Sequence, residues 1–220
     1  MKIFLDTVDL DAIQIWQERG LLDGVTTNPT LLATSGKDVN QLIHKICASL
    51  PNGLISIEVT ETNTADLLQQ ARRIASLGKN VLVKIPCVLD YYPVIKTLAN
   101  EGVQINVTLL FSLPQALFMA KLGAAFISPF VGRLQDQDLP SIELLKQLRV
   151  IMDANANSTK ILAASIRDET QFSQAILTGV DAITIPPALL QNLTYHPLTE
   201  QGIARFSNDW NSLHIKKPFP

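Results

Sequence analysis

Short apolar runs rich in valine and isoleucine alternate along the chain with longer stretches in which apolar residues recur every three or four positions. The short runs cover residues 2–6, 24–27, 54–59, 81–85, 104–109, 125–129, 160–165 and 182–185, and read as strands. The longer stretches read as helices. In one of them Ala65, Leu68, Ala71 and Ile74 share a face and Gly78 follows as a stop signal. Asp168-Glu169-Thr170 opens another, with acids placed in its first turn. Strand–helix alternation implies βαβ units and a parallel sheet. Eight such units imply a closed (β/α)8 barrel, one domain over residues 1–220. An open doubly wound sheet is the alternative, and it carries a glycine-rich turn after its first strand. Here that place holds Asp6-Thr7-Val8-Asp9, with no glycine. After the last strand, Ile203, Phe206, Trp210 and Leu213 recur at helical spacing, which predicts a C-terminal helix over about 198–213 with one apolar seam.

Strands of a parallel sheet are covered on both faces and should be apolar throughout. Several of these runs instead carry polar residues at or near their C-terminal ends: Asp6, Thr26 with Asn28, Glu58, Lys84, Asn106 with Thr108, Ser128, Ser165 with Arg167, and Thr184. Active sites of such barrels lie at that end and draw on several strands. Residues two apart in a strand face the same way, so Thr26 and Asn28, Asn106 and Thr108, Ser128 and Phe130, and Ser165 and Arg167 can each enter the barrel mouth as pairs.

Lys84, in Val81-Leu82-Val83-Lys84-Ile85-Pro86, carries the most specific chemistry. Lysine is almost never fully buried without a partner, burial disfavours the ammonium form, and a neutral lysine attacks carbonyls. The plain structural alternative is a snorkelling lysine, or an ion pair with Glu58 or Asp6. Glu58 could move protons through a water, as Schiff-base chemistry requires. Asp6 could do likewise, or could cap the first helix, a task Asp9 could also perform. Arg133 and Arg167 lie just beyond strands, where two guanidinium forks and a serine would clamp a phosphate; the alternative for each is a solvated arginine.

The remaining chemistry narrows the field. A length of 220 residues makes a compact barrel, since about 250 is usual. The net charge of −2 and the scattered basic residues give no reason to expect nucleic acid or an anionic membrane as partner. No secretory leader is read at the N-terminus, and residues 105–131 are too interrupted by polar residues for a membrane span. Cys47 and Cys87 suggest neither a disulfide framework nor a metal cluster, and a reducing cytoplasm is the expected location. His44, His196 and His214 fall outside the strand ends, with no metal-ligand spacing. No nucleophile elbow or P-loop occurs.

Taken together the motifs resemble the transaldolase family, specifically its short bacterial and archaeal members. The resemblance spans nearly the whole chain. It is carried by Leu5-Asp6-Thr7, Gly24-Val25-Thr26-Thr27-Asn28-Pro29, Val83-Lys84-Ile85-Pro86, Ile105-Asn106-Val107-Thr108-Leu109-Leu110-Phe111-Ser112, Ser128-Pro129-Phe130-Val131-Gly132-Arg133 and Ala163-Ala164-Ser165-Ile166-Arg167. It implies that Lys84 forms the Schiff base and that Glu58 and Thr108 hold the catalytic water. It further implies that Asp6 takes and returns the proton of the substrate C4 hydroxyl, that Asn28, Asn106 and Ser128 bind the dihydroxyacetone unit, and that Arg133, Ser165 and Arg167 bind phosphate. The implied reaction transfers a three-carbon ketol unit from sedoheptulose 7-phosphate or fructose 6-phosphate to an aldose phosphate, in the non-oxidative pentose phosphate pathway, with no cofactor and no metal.

A related enzyme of the same fold, fructose 6-phosphate aldolase, typically carries Gln where Glu58 stands and Tyr where Phe130 stands, and lacks the Asn-x-Thr-Leu block. At all three places this chain follows the transaldolase pattern. The aldolase is the first alternative, and a non-catalytic barrel that binds sugar phosphates is the second. Short members also resemble the chain in having a C-terminal helix that builds rings of five, often paired into ten, so a homo-oligomer is expected.

Overall fold

The structure is a computed structural model that describes residues 1–155 and 158–212. Its strands β1 (Lys2–Asp6), β2 (Gly24–Thr26), β3 (Leu54–Glu58), β4 (Val81–Pro86), β5 (Ile105–Leu110), β6 (Phe126–Pro129), β7 (Lys160–Ala163) and β8 (Ala182–Ile185) pair in parallel in chain order. β8 closes on β1, with Phe4 beside Thr184. The helices are α1 (Leu10–Glu18), α2 (Pro29–Thr34), α3 (Val39–Ser49), α4 (Thr64–Ala75), α5 (Tyr92–Asn100), α6 (Leu113–Leu122), α7 (Val131–Gln135), α8 (Ser141–Ala154), α9 (Glu169–Ile176), α10 (Pro187–Leu193) and α11 (Pro197–Ser212). The expected (β/α)8 barrel is the fold.

Period-two alternation in the strands separates two apolar regions. Outward-facing residues such as Leu5, Val25, Ile55, Val83, Ile127 and Ile183 pack under the helices in one large cluster. Inward-facing Phe4, Leu82, Phe126, Leu162 and Ala182 form a second, smaller cluster that fills the barrel. Burying each of the larger aliphatic side chains contributes about 1.5–3 kcal/mol. Two residues further along the chain from each of these, Asp6, Lys84, Ser128, Ala164 and Thr184 line a cavity instead. The barrel interior therefore passes from an apolar plug to a polar mouth within one side-chain layer.

Short polar residues after the strands start the helices. Asp9 accepts from the Asp11 and Ala12 amides and caps α1, which leaves Asp6 out of that role. Asn28 caps α2 through the Leu31 amide, and Asp168 caps α9 through Gln171.

Some expected boundaries shift. β7 stops at Ala163 because Ser165 takes a left-handed conformation, φ 60°. In α4 the buried stripe is Leu67, Ala71 and Ile74, at spacings of four and three, whereas Ala65 is exposed and Leu68 only half-buried. Ser76, not Gly78, caps that helix. β5 carries an extra residue: Val107 faces Ile127, but Leu110 faces Pro129, and Leu109 between them has φ 54°. Such bulges occur beside active sites, where they re-aim side chains.

α11 matches the expected C-terminal helix as far as Ser212; Leu213 lies outside the described residues. None of its side chains is buried, and Ile203 and Phe206 are 56% and 72% exposed. No helix among the described residues is long and apolar enough to cross a membrane.

Candidate active site

The cavity at the C-terminal mouth of the barrel encloses about 400 Å³. Lys84 reaches it from the middle of the sheet, flanked in register by Glu58 on β3 and Asn106 on β5. The Lys84 Nζ donates to the Thr27 carbonyl at 2.6 Å and pairs with Glu58 Oε2 at 2.9 Å. Both side chains are nearly buried, 7% and 11% exposed. The ion pair anticipated as the bland explanation of Lys84 is present, and it also puts a proton acceptor in direct contact with the amine. A buried pair of this kind is weak evidence of a stabilising role, since desolvation offsets much of the attraction.

Asp6 stands on the other side. Its Oδ1 accepts from Thr26 Oγ1 at 2.9 Å and from Asn28 Nδ2 at 3.4 Å. Thr26 spends its only proton on Asp6, so its 2.6 Å contact with Thr184 must be donated by Thr184. A hydroxyl chain thus runs from β8 through β2 to the Asp6 carboxylate. Burial pushes the Asp6 carboxyl above its ordinary value of 3.8, while the Lys84 charge and the bonds from Thr26 and Asn28 oppose that shift.

Asn106 is fully buried and held by two hydroxyls. Its Nδ2 donates to Ser56 Oγ at 3.0 Å, and its Oδ1 accepts from Ser128 Oγ at 2.7 Å. This holds the amide in place and leaves one amide hydrogen for a ligand. Thr108, beside the β5 bulge, is also buried, and its Oγ1 has no hydrogen-bond partner among the described residues. An unpaired buried hydroxyl costs stability, which a ligand or a bound water in the cavity would recover.

At the outer wall Phe130 lies edge-on to Phe111, ring centroids 5.9 Å apart, and the Arg133 guanidinium sits 5.1 Å from the Phe130 ring. Ser165 lines the cavity as well. Arg167 departs from expectation. It does not line this cavity, and its guanidinium is forked onto Asp136 at the rim. The two-residue alternation that would have turned Arg167 inward with Ser165 requires extended backbone, and the left-handed conformation of Ser165 breaks it.

The structure therefore gathers Asp6, Thr26, Asn28, Glu58, Lys84, Asn106, Thr108, Ser128, Phe130, Arg133 and Ser165 round one cavity. Thr184, one of the polar strand-end residues, joins them, and the structure adds Ser56 and the Thr27 carbonyl. Ser56 precedes Glu58 by two positions and was findable by alternation; a backbone carbonyl such as that of Thr27 has no sequence signal. His44 and His196 are exposed and away from this cavity, and His214 lies outside the described residues.

Comparison with known proteins agrees in kind. The Transaldolase/Fructose-6-phosphate aldolase family profile matches residues 3–217. A protein named "Probable transaldolase" from Parvibaculum lavamentivorans is 45% identical over 211 residues, 96% of each chain. Proteins of the same name from Roseobacter denitrificans and Caulobacter sp. (strain K31) are 43% and 44% identical over 210 residues, again covering 96% of each chain.

Proposed function

We propose a reaction for this chain, which belongs to the Transaldolase/Fructose-6-phosphate aldolase family: transfer of a dihydroxyacetone unit from a ketose phosphate, sedoheptulose 7-phosphate or fructose 6-phosphate, to an aldose phosphate. The observation that carries it is the contact of Lys84 with Glu58 at 2.9 Å on the cavity wall, with Asp6 lining the same cavity.

Glu58 takes a proton from the Lys84 ammonium, and the freed Nζ attacks the C2 carbonyl of the ketose. The carbinolamine loses water to give the iminium, with Glu58 and the unpaired Thr108 hydroxyl handling that water and its protons. Asp6 then accepts the proton of the C4 hydroxyl, the C3–C4 bond breaks, and its electron pair passes into the iminium as an enamine. The aldose phosphate leaves. An acceptor aldehyde enters, the enamine carbon attacks it, and Asp6 returns its proton to the new hydroxyl. Hydrolysis of the iminium releases the new ketose. Asn106, Ser128 and Asn28 hold the hydroxyls of the three-carbon unit. Arg133 and Ser165 meet the phosphate at the mouth, and Arg167 joins them from the rim. The steps use the electron sink supplied by the iminium and call on no cofactor or metal.

Transfer, rather than release of dihydroxyacetone, requires that the enamine not be protonated before the acceptor arrives. Phe130 supports this, because a phenyl ring has no hydroxyl to position a water or relay a proton. Glu58, where the aldolase relatives typically carry Gln, supports the same choice. Fructose 6-phosphate and erythrose 4-phosphate in a coupled assay test it: consumption of the donor should depend on the acceptor and yield sedoheptulose 7-phosphate. Equal consumption without acceptor, with free dihydroxyacetone as product, would make the protein an aldolase. The expected setting is the non-oxidative pentose phosphate pathway in the cytoplasm. A homo-oligomer built through the apolar seam of α11, a ring of five or a pair of rings, is the proposed assembly; a monomeric mass by light scattering at micromolar concentration would contradict it.

A further inference from the structure

The two arginines at the mouth are held differently. Arg133 lines the cavity and stacks on Phe130. Arg167 is forked onto Asp136, Nη2 to Oδ2 at 2.6 Å and Nη1 to Oδ1 closer still. The backbone on both sides of this pair is anchored. The Asp136 amide donates to the Gly132 carbonyl at 3.0 Å. The Arg167 amide donates to Gln171 Oε1 at 2.8 Å, and Gln171 Nε2 donates to Gln135 Oε1 at 2.6 Å, tying α9 to α7. Gly132 lets the segments meet: a side chain there would overlap the Ser165 carbonyl and lie 2.9 Å from Arg167 Nε. Arg133, Asp136 and Arg167 share one shallow groove that adjoins the cavity at Arg133.

A bidentate fork is also how a guanidinium binds two oxygens of a phosphate. We infer that Asp136 occupies the place on Arg167 that the substrate phosphate takes, so that Asp136 is a built-in competitor that weakens phosphate affinity and eases product release. The inference rests on the sugar-phosphate reading above. Binding then exchanges one anion for another on the same fork instead of adding a new ion pair. Both partners are about half exposed, so the carboxylate can give way at small cost, and the exchange is correspondingly small. Asp136 sets affinity and takes no part in the chemistry at Lys84.

The test is inorganic phosphate binding by calorimetry, with phosphate inhibition of fructose 6-phosphate turnover beside it, on the full chain and its variants at low ionic strength. Asp136→Asn, and Asp136→Ala as a second variant, should bind phosphate roughly two- to fivefold tighter than the wild type. KM for fructose 6-phosphate should fall in parallel, and the gain should shrink with added salt. In an Arg167→Ala background, removing Asp136 should give no gain. Unchanged or weaker phosphate binding in either folded variant overturns the inference and makes Asp136 a buttress for Arg167. A wild-type protein that binds no phosphate and turns over no sugar phosphate overturns the functional reading, and this inference with it.

Discussion

The lysine end of the cavity is built from residues inside strands, and the arginine end from residues just past them. At the first end Lys84, Glu58 and Asn106 are neighbours in sheet register and nearly buried, Lys84 tied to Glu58 and the Thr27 carbonyl and Asn106 to the Ser56 and Ser128 hydroxyls, at 2.6–3.0 Å. At the second, Arg133 and Arg167 are exposed side chains beyond β6 and β7, and an ion pair at the rim engages one of them. Groups that must meet reacting atoms within a few tenths of an ångström gain from the rigid frame of the sheet. Groups that only hold a charge can stand on segments that vary, and can be tuned by a neighbour such as Asp136. The lysine end should therefore govern rate, and the arginine end affinity.

The sharpest way to break that division is Glu58→Gln. It removes the proton acceptor at the lysine end without removing the amine, so kcat should fall on the order of 10²- to 10⁴-fold with KM little changed. A variant within tenfold of wild type would show that Glu58 is only an ion-pair partner. Next in size, Arg133→Ala should raise KM for phosphorylated donors and leave kcat largely intact. Loss of a charge-assisted bond costs about 1.5–3 kcal/mol, a factor of roughly 10 to 100 in kcat/KM. Arg167→Ala should do the same but less, because its phosphate bond replaces one to Asp136; a larger effect from Arg167 than from Arg133 would reverse the assignment of the clamp.

The smallest effect is on stability and carries a pH signature. Burial, opposed in part by Lys84, raises the Asp6 carboxyl above its ordinary value of 3.8. A carboxyl whose native value is raised binds its proton more tightly folded than unfolded. Its contribution is favourable at acid pH and is lost as pH rises through the raised value. Asp6→Asn should thus raise the melting temperature at pH 7 while slowing turnover, and the gain should vanish below pH 3.8. A lower melting temperature at pH 7 would mean that the pairing with Lys84 outweighs burial.

These contrasts also mark what could be read from the chain. Strand-borne chemistry was legible because polarity inside an apolar run is conspicuous, and period-two alternation says which neighbours accompany it: Lys84, Glu58, Asn106 and Thr108 all followed. The Thr-Thr-Asn-Pro and Asn-x-Thr-Leu-x-Phe-Ser blocks added the family. Alternation failed where the backbone left the extended region. Ser165 at φ 60° turned Arg167 to the rim, and nothing in Ala163-Ala164-Ser165-Ile166-Arg167 signals that turn. Asp136 was invisible for a related reason, since its partner lies 31 residues away and only the fold of α7 against the β7 end brings them together. The role of the Thr27 carbonyl needed coordinates, because every residue carries that group.

The central claim is that Lys84 is the amine that joins the substrate, and trapping measures it most directly. Borohydride added to the protein with fructose 6-phosphate should reduce the iminium to a stable adduct, and mass spectrometry of the peptides should find the label on Lys84 alone. Lys84→Arg keeps the charge without the nucleophile and should give no adduct. A label on any other lysine, or none on wild-type protein that turns over the substrate, would contradict the account.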